Sequence, residues 1–255
     1  MSGKNTRTRR IVVLGALSTI AEAVARRYAA EGAEMVLAAR NAERLGQLKD
    51  DLTARGSARA LAWPVDLAAL DDVPAELARM AEALGGEVDA VLLFYGTLGD
   101  QKLAEKDSAE LRRIMAVNFA SAAEWCVAAA DVLERQDHGV LLAVSSVAGD
   151  RGRQSNYLYG AAKAGLAVLV EGLGHRLAAG GGRAVVIKLG FVDTAMTAHI
   201  EKGGPLWAKP DAIAQQLVRI IDKPRRPVIY LPWFWRPIMA VIRNIPSSIF
   251  HRTKL

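Results

Sequence analysis

The 255-residue chain predicts an α/β fold: a single doubly wound domain built on a central parallel sheet and followed by a short amphipathic tail. Three observations carry this expectation. Short runs of Val, Ile, Leu and Ala alternate with longer stretches of helical periodicity. The runs are apolar on both faces, so each strand is covered from both sides, as the strands of a parallel sheet are. No linker or internal repeat divides the chain, and its length suffices for one large domain with a sizeable core.

Residues 11–14 are the first expected strand, and 19–31 a helix that Gly32 ends. A strand at 34–39 and a helix at 42–55 follow, the helix stopped by Gly56. Then come a strand at 58–65, a helix at 73–84 and a fourth strand at 90–94. Residues 108–133 make one or two helices. A strand at 140–144, a long helix at 157–179 and a strand at 184–189 come next. The helix over 211–222 starts behind Pro210, a good first-turn residue, and 228–231 is the last strand. Ligands of such a sheet sit at the carboxyl ends of the strands, where strand order reverses. Residues 195–210, with Gly203, Gly204 and Pro205, are expected as a mobile excursion over that edge.

The net charge of +6 is unevenly distributed. Residues 1–10 carry Lys4, Arg7, Arg9 and Arg10 with no acid, and residues 223–255 carry seven basic residues with no acid, from Lys223 to Lys254. The body between them is mildly acidic. A nucleic-acid-binding domain would place its basic face on the fold itself, so no nucleic-acid partner is expected. Two basic ends fit attraction to an anionic surface such as a lipid leaflet. The single cysteine, Cys126, excludes an internal disulfide and a cysteine-based zinc site, and no metal site is expected. Its apolar surroundings place it in a buried helix. Basic residues ahead of Ile11–Leu17 imitate a secretion signal. A first strand feeding a helix explains them better, because Glu22, Arg26 and Arg27 soon follow at helical spacing. No uncharged run has the ~18 residues of a membrane span, so no transmembrane helix is expected.

The turn after the first strand reads Gly15-Ala16-Leu17-Ser18-Thr19-Ile20-Ala21. A dinucleotide fold needs a tight turn here, with backbone N–H groups at a helix start facing a pyrophosphate. Thr19 and Ala21 stand where glycines are common, so this loop alone could be an ordinary strand-to-helix turn. Ser18 and Thr19 can add hydroxyl donors. A more specific pattern is Tyr159-Gly160-Ala161-Ala162-Lys163. Residues four apart share a helix face, so the phenol and the ammonium enter the same space. Tyr157 lacks such a partner, because position 161 is alanine. Ser146 lies thirteen residues before Tyr159, after a buried strand, and Asn118 follows Val117.

These residues resemble the active-site tetrad of the short-chain dehydrogenase/reductase family, with a Rossmann fold and a resemblance spanning residues 11–231. The resemblance implies Asn118, Ser146, Tyr159 and Lys163 as catalytic residues. It implies cofactor contacts from Gly15, Ser18, Thr19, Ile20, Arg40, Asn41, Asp66, Leu67, Gly96, Tyr159, Lys163, Val192 and Thr194. Asp66-Leu67 matches the pair that holds adenine, and Thr194 the residue at the nicotinamide carboxamide. Two departures concern the pocket: Leu93-Phe94-Tyr95 replaces the customary asparagines and alanine before Gly96, and Leu189-Gly190 replaces Pro-Gly. Within the family, Phe94–Asp100, Ala148–Arg153 and Val241–Phe250 are similar to decaprenylphosphoryl-2-keto-ribose reductases. That implies a keto-sugar on a polyprenyl-phosphate carrier as substrate. Reduction of a 3-oxoacyl thioester or another hydrophobic ketone is an alternative, and a non-catalytic, membrane-docked NADP(H)-binding protein is a third reading.

The cofactor can be argued from charge. An acid at the end of the second strand would bind a ribose 2′-hydroxyl and repel a 2′-phosphate. This strand ends Ala38-Ala39-Arg40-Asn41, so NADP(H) is expected over NAD(H), unless Arg40 is simply a solvated surface residue. In the expected chemistry a ketone receives hydride while Tyr159 protonates its oxygen and Ser146 hydrogen-bonds it. Lys163 at ~4 Å is expected to bring the phenol toward neutrality, and Asn118 to hold a relaying water. The expected organisation is a basic extension over 1–10, a catalytic domain over 11–231 and a tail over 232–255. Trp233, Phe234, Trp235, a helix opened by Pro237 and Arg236 with Arg243 describe an interfacial segment, alternatively a packing arm for a neighbouring subunit. The expectation is a cytoplasmic homodimer or homotetramer, peripheral on the inner face of the cytoplasmic membrane.

Overall fold

The computed structural model describes residues 8–198, 201 and 203–253. The elements in chain order are β1 (Arg10–Leu14), α1 (Thr19–Ala30), β2 (Glu34–Ala39), α2 (Ala42–Ala54), β3 (Arg59–Pro64), α3 (Val73–Ala83) and β4 (Ala90–Leu93). Next come α4 (Gln101–Ala104), α5 (Ser108–Met115), a π-helical turn over Ala116–Ala120, α6 (Ser121–Arg135) and β5 (Val140–Ser146). A 3-10 turn over Val147–Asp150 leads to α7 (Tyr157–Leu177), β6 (Arg183–Leu189) and β7 (Phe191–Val192). The chain closes with β8 (Trp207–Ala208), α8 (Pro210–Asp222), β9 (Val228–Leu231), α9 (Trp235–Asn244) and α10 (Ser247–Phe250).

Seven parallel strands form one sheet in the order β3-β2-β1-β4-β5-β6-β9, as the apolar runs require. The order reverses between β1 and β4, paired from Ile11 with Ala90 to Leu14 with Leu93. Helices α1, α2 and α8 cover one face around Tyr28, Leu37, Leu45 and Ile213. Helices α3, α6 and α7 cover the other around Leu77, Met80, Trp125 and Leu166. Cys126 is fully enclosed there, and burial pushes its thiol up to about 12, which suits packing rather than reactivity. The stretch Ser108–Arg135 has the length and mean hydropathy of a membrane span, but half of it is buried within this layer.

Three expectations change. Strand β1 already begins at Arg10, inside the expected basic extension. Arg10 N donates to Asp89 Oδ2 at 2.8 Å, and its guanidinium lies 3.6 Å from Glu34. Arg9 pairs with Asp222 and lies over the Tyr28 ring at 5.6 Å, while Lys4 and Arg7 fall outside the described residues. The excursion over 195–210 is partly built: Ala195–Thr197 is a 3-10 turn, and Trp207–Ala208 pairs in parallel with Phe191–Val192.

The third change concerns the tail, whose apolar face is largely turned inward. Trp235 and Met239 are buried in a small core with Val147, flanked by Phe191, Tyr230 and Ile242. The turn after β5 holds this arm in place. Arg151 Nη1 donates to the carbonyls of Ile242, Arg243 and Ile245, the open end of α9, and its guanidinium stacks 3.9 Å from the Phe250 ring centroid. Asp150, almost fully buried, accepts from Lys188 at 2.6 Å and from Tyr230 at 2.7 Å. Trp233 (73% exposed), Val241 and Ile249 remain outside.

Candidate active site

A cavity of about 610 Å³ opens at the carboxyl ends of the strands, across the reversal between β1 and β4. It brings together Gly15, Ser18, Thr19, Ile20, Arg40, Asn41, Asp66, Leu67, Gly96, Ser146, Tyr159, Lys163, Val192 and Thr194. Of the sequence-predicted site residues, Asn118 alone stands behind its wall rather than in it.

Asn118 sits in the π-helical turn and is fully buried. Its Oδ1 accepts from Thr97 N at 3.0 Å, and its Nδ2 donates to the carbonyls of Thr97 at 2.8 Å and Ile114 at 2.9 Å. The amide thus pins the loop after β4 to the helix layer. These contacts give it a structural role beside the water-holding one expected of it. The π turn, with its extra residue, is what aims Asn118 back at that loop. Gly96 lies directly over it: a Cβ there would stand 2.8 Å from Asn118 Oδ1 and 3.2 Å from Lys163 Nζ.

Lys163 and Tyr159 rise from one face of α7, as their spacing requires. The helix is fastened to β5 by Ser145, whose buried hydroxyl donates to the Lys163 carbonyl at 2.7 Å. Lys163 is 3% exposed, and its Nζ donates to the Val144 carbonyl at 3.1 Å. Burial lowers its pKa to about 8. Tyr159 is 8% exposed, and burial pushes its phenol up to about 12, partly countered by a hydrogen bond with Ser146. Burial thus shifts the phenol away from the near-neutral range expected of it. The Lys163 ammonium lies 5.9 Å from the ring centroid and is turned to Val144, so desolvation outweighs its attraction for a phenolate. A phenol held protonated is a proton donor. Ser146 Oγ accepts from Ala148 N at 3.1 Å, which sets its rotamer toward the cavity.

At the other end, Gly15 takes φ +82°, and a Cβ there would meet Tyr95 N at 2.7 Å, so only glycine passes this turn. Ser18 precedes α1 without its side chain capping the helix, so its hydroxyl is free for a ligand. Arg40 is exposed and has no ion pair among the described residues, whereas Arg44 one turn on is held by Glu22 at 3.2 Å. The Asn41 side chain caps α2 through Arg44 N at 2.9 Å. Asp66 Oδ1 accepts from Ala68 N at 3.0 Å, and the Leu67 carbonyl accepts from Trp125 Nε1 at 3.0 Å, fixing that corner. Thr197 Oγ1 donates to the Val192 carbonyl at 2.7 Å and accepts from Thr194 N at 3.2 Å, which folds the far lip.

Sequence reasoning assigned no role to Arg113, Arg153, Asn156, Phe191 or Met196, which also line the cavity. The two arginines of Arg151-Gly152-Arg153, five and seven residues after Ser146, were the available signal.

Lys163 titrates at 10.5 in an unfolded chain and at about 8 here. Between these values the unfolded chain binds more protons, so stability lost to this buried charge at neutral pH returns as pH rises through that window. Lys163→Met should stabilise the protein at pH 7 by up to about 3 kcal/mol, and the gain should shrink toward pH 10. Urea denaturation at both pH values checks this. An equal difference at the two would exclude a charge strained by burial.

The short chain dehydrogenase family description matches residues 9–204. An uncharacterized oxidoreductase of Mycobacterium tuberculosis is 35% identical over 244 residues, covering 95% of this chain and 96% of that protein. One of Streptomyces coelicolor is 33% identical over 250 residues, covering 96% and 95%. An alcohol dehydrogenase of the archaeon Thermococcus sibiricus, solved with 5-hydroxy-NADP, superposes with a TM-score of 0.76 at 25% identity, covering 88% of this chain and 96% of that one. With the strand order, the Tyr159–Lys163 face and these matches agreeing, the chain belongs to the short chain dehydrogenase family and is an oxidoreductase of that type.

Proposed function

We propose that this oxidoreductase uses NADP(H) to reduce a ketone, with Tyr159 as proton donor. One observation carries the reading: a single cavity joins a free cation, Arg40, to the Ser146–Tyr159–Lys163 group. Strands β2 and β5, which deliver the two ends, are three sheet positions apart, about 14 Å at ~4.8 Å per strand. That span suits an extended dinucleotide, with Arg40 on a 2′-phosphate and the reacting ring beside Tyr159. The Gly15 turn and the uncapped Ser18 at the start of α1 fit its pyrophosphate. The bound cofactor would supply hydride to the carbonyl carbon. Ser146 then hydrogen-bonds the carbonyl oxygen, Tyr159 Oη transfers its proton to that oxygen, and Lys163 compensates the phenolate that remains.

As substrate we propose a keto-sugar on a polyprenyl-phosphate carrier, supported by the likeness of Phe94–Asp100, Ala148–Arg153 and Val241–Phe250 to reductases of that class. The cavity reaches the arm, since Arg153, in its lining, touches Met239 of α9 at 3.5 Å. Peripheral contact with the inner leaflet would use the outward Trp233, Val241 and Ile249 with Arg236, Arg243 and Arg252. Val168 of α7 is 70% exposed and suits cover by a second copy of the chain.

Three experiments test this reading. Tyr159→Phe should leave NADPH affinity intact and lower ketone turnover ~10²-fold or more, since only the proton donor is lost; a mutant with near-native turnover would remove Tyr159 from the mechanism. Arg40→Ala should weaken NADPH binding by about 1.5–3 kcal/mol and leave NADH unchanged. Titration calorimetry with both cofactors reads this, and equal losses would overturn the NADP(H) preference. For the membrane, the three described arginines at up to about 1 kcal/mol each should float the protein with phosphatidylglycerol liposomes at low salt. High salt should release it and Trp233→Ser should lower the bound fraction; protein that stays soluble at low salt makes the arm a packing element only.

A further inference from the structure

Asp150 stands outside the lining of the cavity, yet it closes the 3-10 turn that Ser146 opens. Its carboxylate is 1% exposed and accepts from Lys188 Nζ at 2.6 Å and from Tyr230 Oη at 2.7 Å. Ser145, Lys188 and Tyr230 are register partners on β5, β6 and β9, so their side chains stand side by side on one face of the sheet. The Lys188 ammonium also lies 5.5 Å from the Tyr230 ring centroid. Asp150 is thereby fastened to two strands, neither of which carries the turn it ends. A desolvated pair of this kind tolerates little displacement, because either charge left alone in the interior is strongly disfavoured.

Contact sets the other side of the same turn. A Cβ at Gly149 would stand 2.7 Å from Ala164 N and 3.0 Å from Lys163 C, and one at Gly160 would stand 2.8 Å from the Ala148 carbonyl oxygen. The turn therefore rests on α7 along the stretch that runs from Tyr159 to Lys163. Sterics decide how near it can come, and the Asp150 carboxylate holds it there. Ser146 inherits this placement: its Oγ accepts from Ala148 N at 3.1 Å, inside the turn, and its hydroxyl hydrogen-bonds the Tyr159 phenol.

We propose that Asp150 is a positioning residue for the Ser146–Tyr159 pair. Through the Val147–Asp150 turn its carboxylate sets the separation of the two hydroxyls, and with it their alignment on the oxygen of a bound carbonyl. This rests on the reading of Ser146 and Tyr159 as the groups that meet that oxygen. No proton passes through Asp150, whose two described donors are Lys188 and Tyr230.

Two measurements test this. In protein ¹³C-labelled at tyrosine Cζ, the Tyr159 resonance is identified by its loss in Tyr159→Phe. Asp150→Asn should move that resonance toward its position in Ser146→Ala, since both disturb one hydrogen bond, and Asp150→Glu should return it part of the way. With NADPH and phenanthrenequinone as probe ketone, Asp150→Asn should lower kcat roughly tenfold or more while NADPH affinity and the KM of the quinone hold. In a Ser146→Ala background the same change should lower kcat by less than about twofold, because the group that Asp150 positions is already gone. The resonance needs no substrate and decides the matter alone if the quinone is not reduced. Tyr230→Phe, which removes one donor and keeps the ion pair, should give a smaller effect of the same kind and takes over if Asp150→Asn does not fold. A Tyr159 resonance unmoved in the folded variants, or losses that multiply in the double variant, overturns the proposal and leaves the reductase reading standing. Native turnover in Ser146→Ala removes both together.

Discussion

The close approach of Gly96 to the buried pair behind it organises this molecule. The loop after β4 must cross the reversal point of the sheet while touching Asn118 on one side and Lys163 on the other. A single Cβ at position 96 would intrude on both. Asn118 can hold the loop only because the helix between β4 and β5 takes an extra residue in a π turn, and that turn sets its amide against Thr97. Lys163 can stand beside it only because Ser145 ties α7 to β5. The cofactor end, the reacting end and the two strands between them are therefore positioned through one crowded junction.

Electrostatics then divides the cavity. At the β2 end Arg40 is open to solvent, where the phosphate of the proposed cofactor would meet it. At the β5 end burial dominates. It raises Tyr159 to about 12 and lowers Lys163 to about 8, moving both toward their neutral forms. A neutral phenol with a hydrogen bond to Ser146 is prepared to give a proton rather than take one.

The C-terminal arm links these ends to the surface. Its sequence has the marks of an interfacial segment, yet most of its apolar side chains pack on the turn that follows Ser146. Arg151 closes the carbonyl end of α9, and Met239 reaches the wall of the cavity. The same arm that would meet a membrane therefore also shapes the site. An amphipathic pattern states that one face will be covered and leaves open whether lipid, another subunit or the chain's own core covers it.

What the sequence by itself determined are the features set by local rules. Runs apolar on both faces within α/β alternation specify a parallel sheet, and helix punctuation by Gly32, Gly56 and Pro210 places the element ends within a few residues. The four-residue step from Tyr159 to Lys163 puts both on one helix face, whatever packs around it. Tertiary structure alone decided how those side chains are used. The direction of the Lys163 ammonium, the engagement of both ends of the Asn118 amide and the anchoring of Asp150 depend on groups remote in the chain: Val144, Thr97, and Lys188 with Tyr230. Burial and hydrogen-bond partnership are properties of the packed interior, and spacing along the chain carries no record of them.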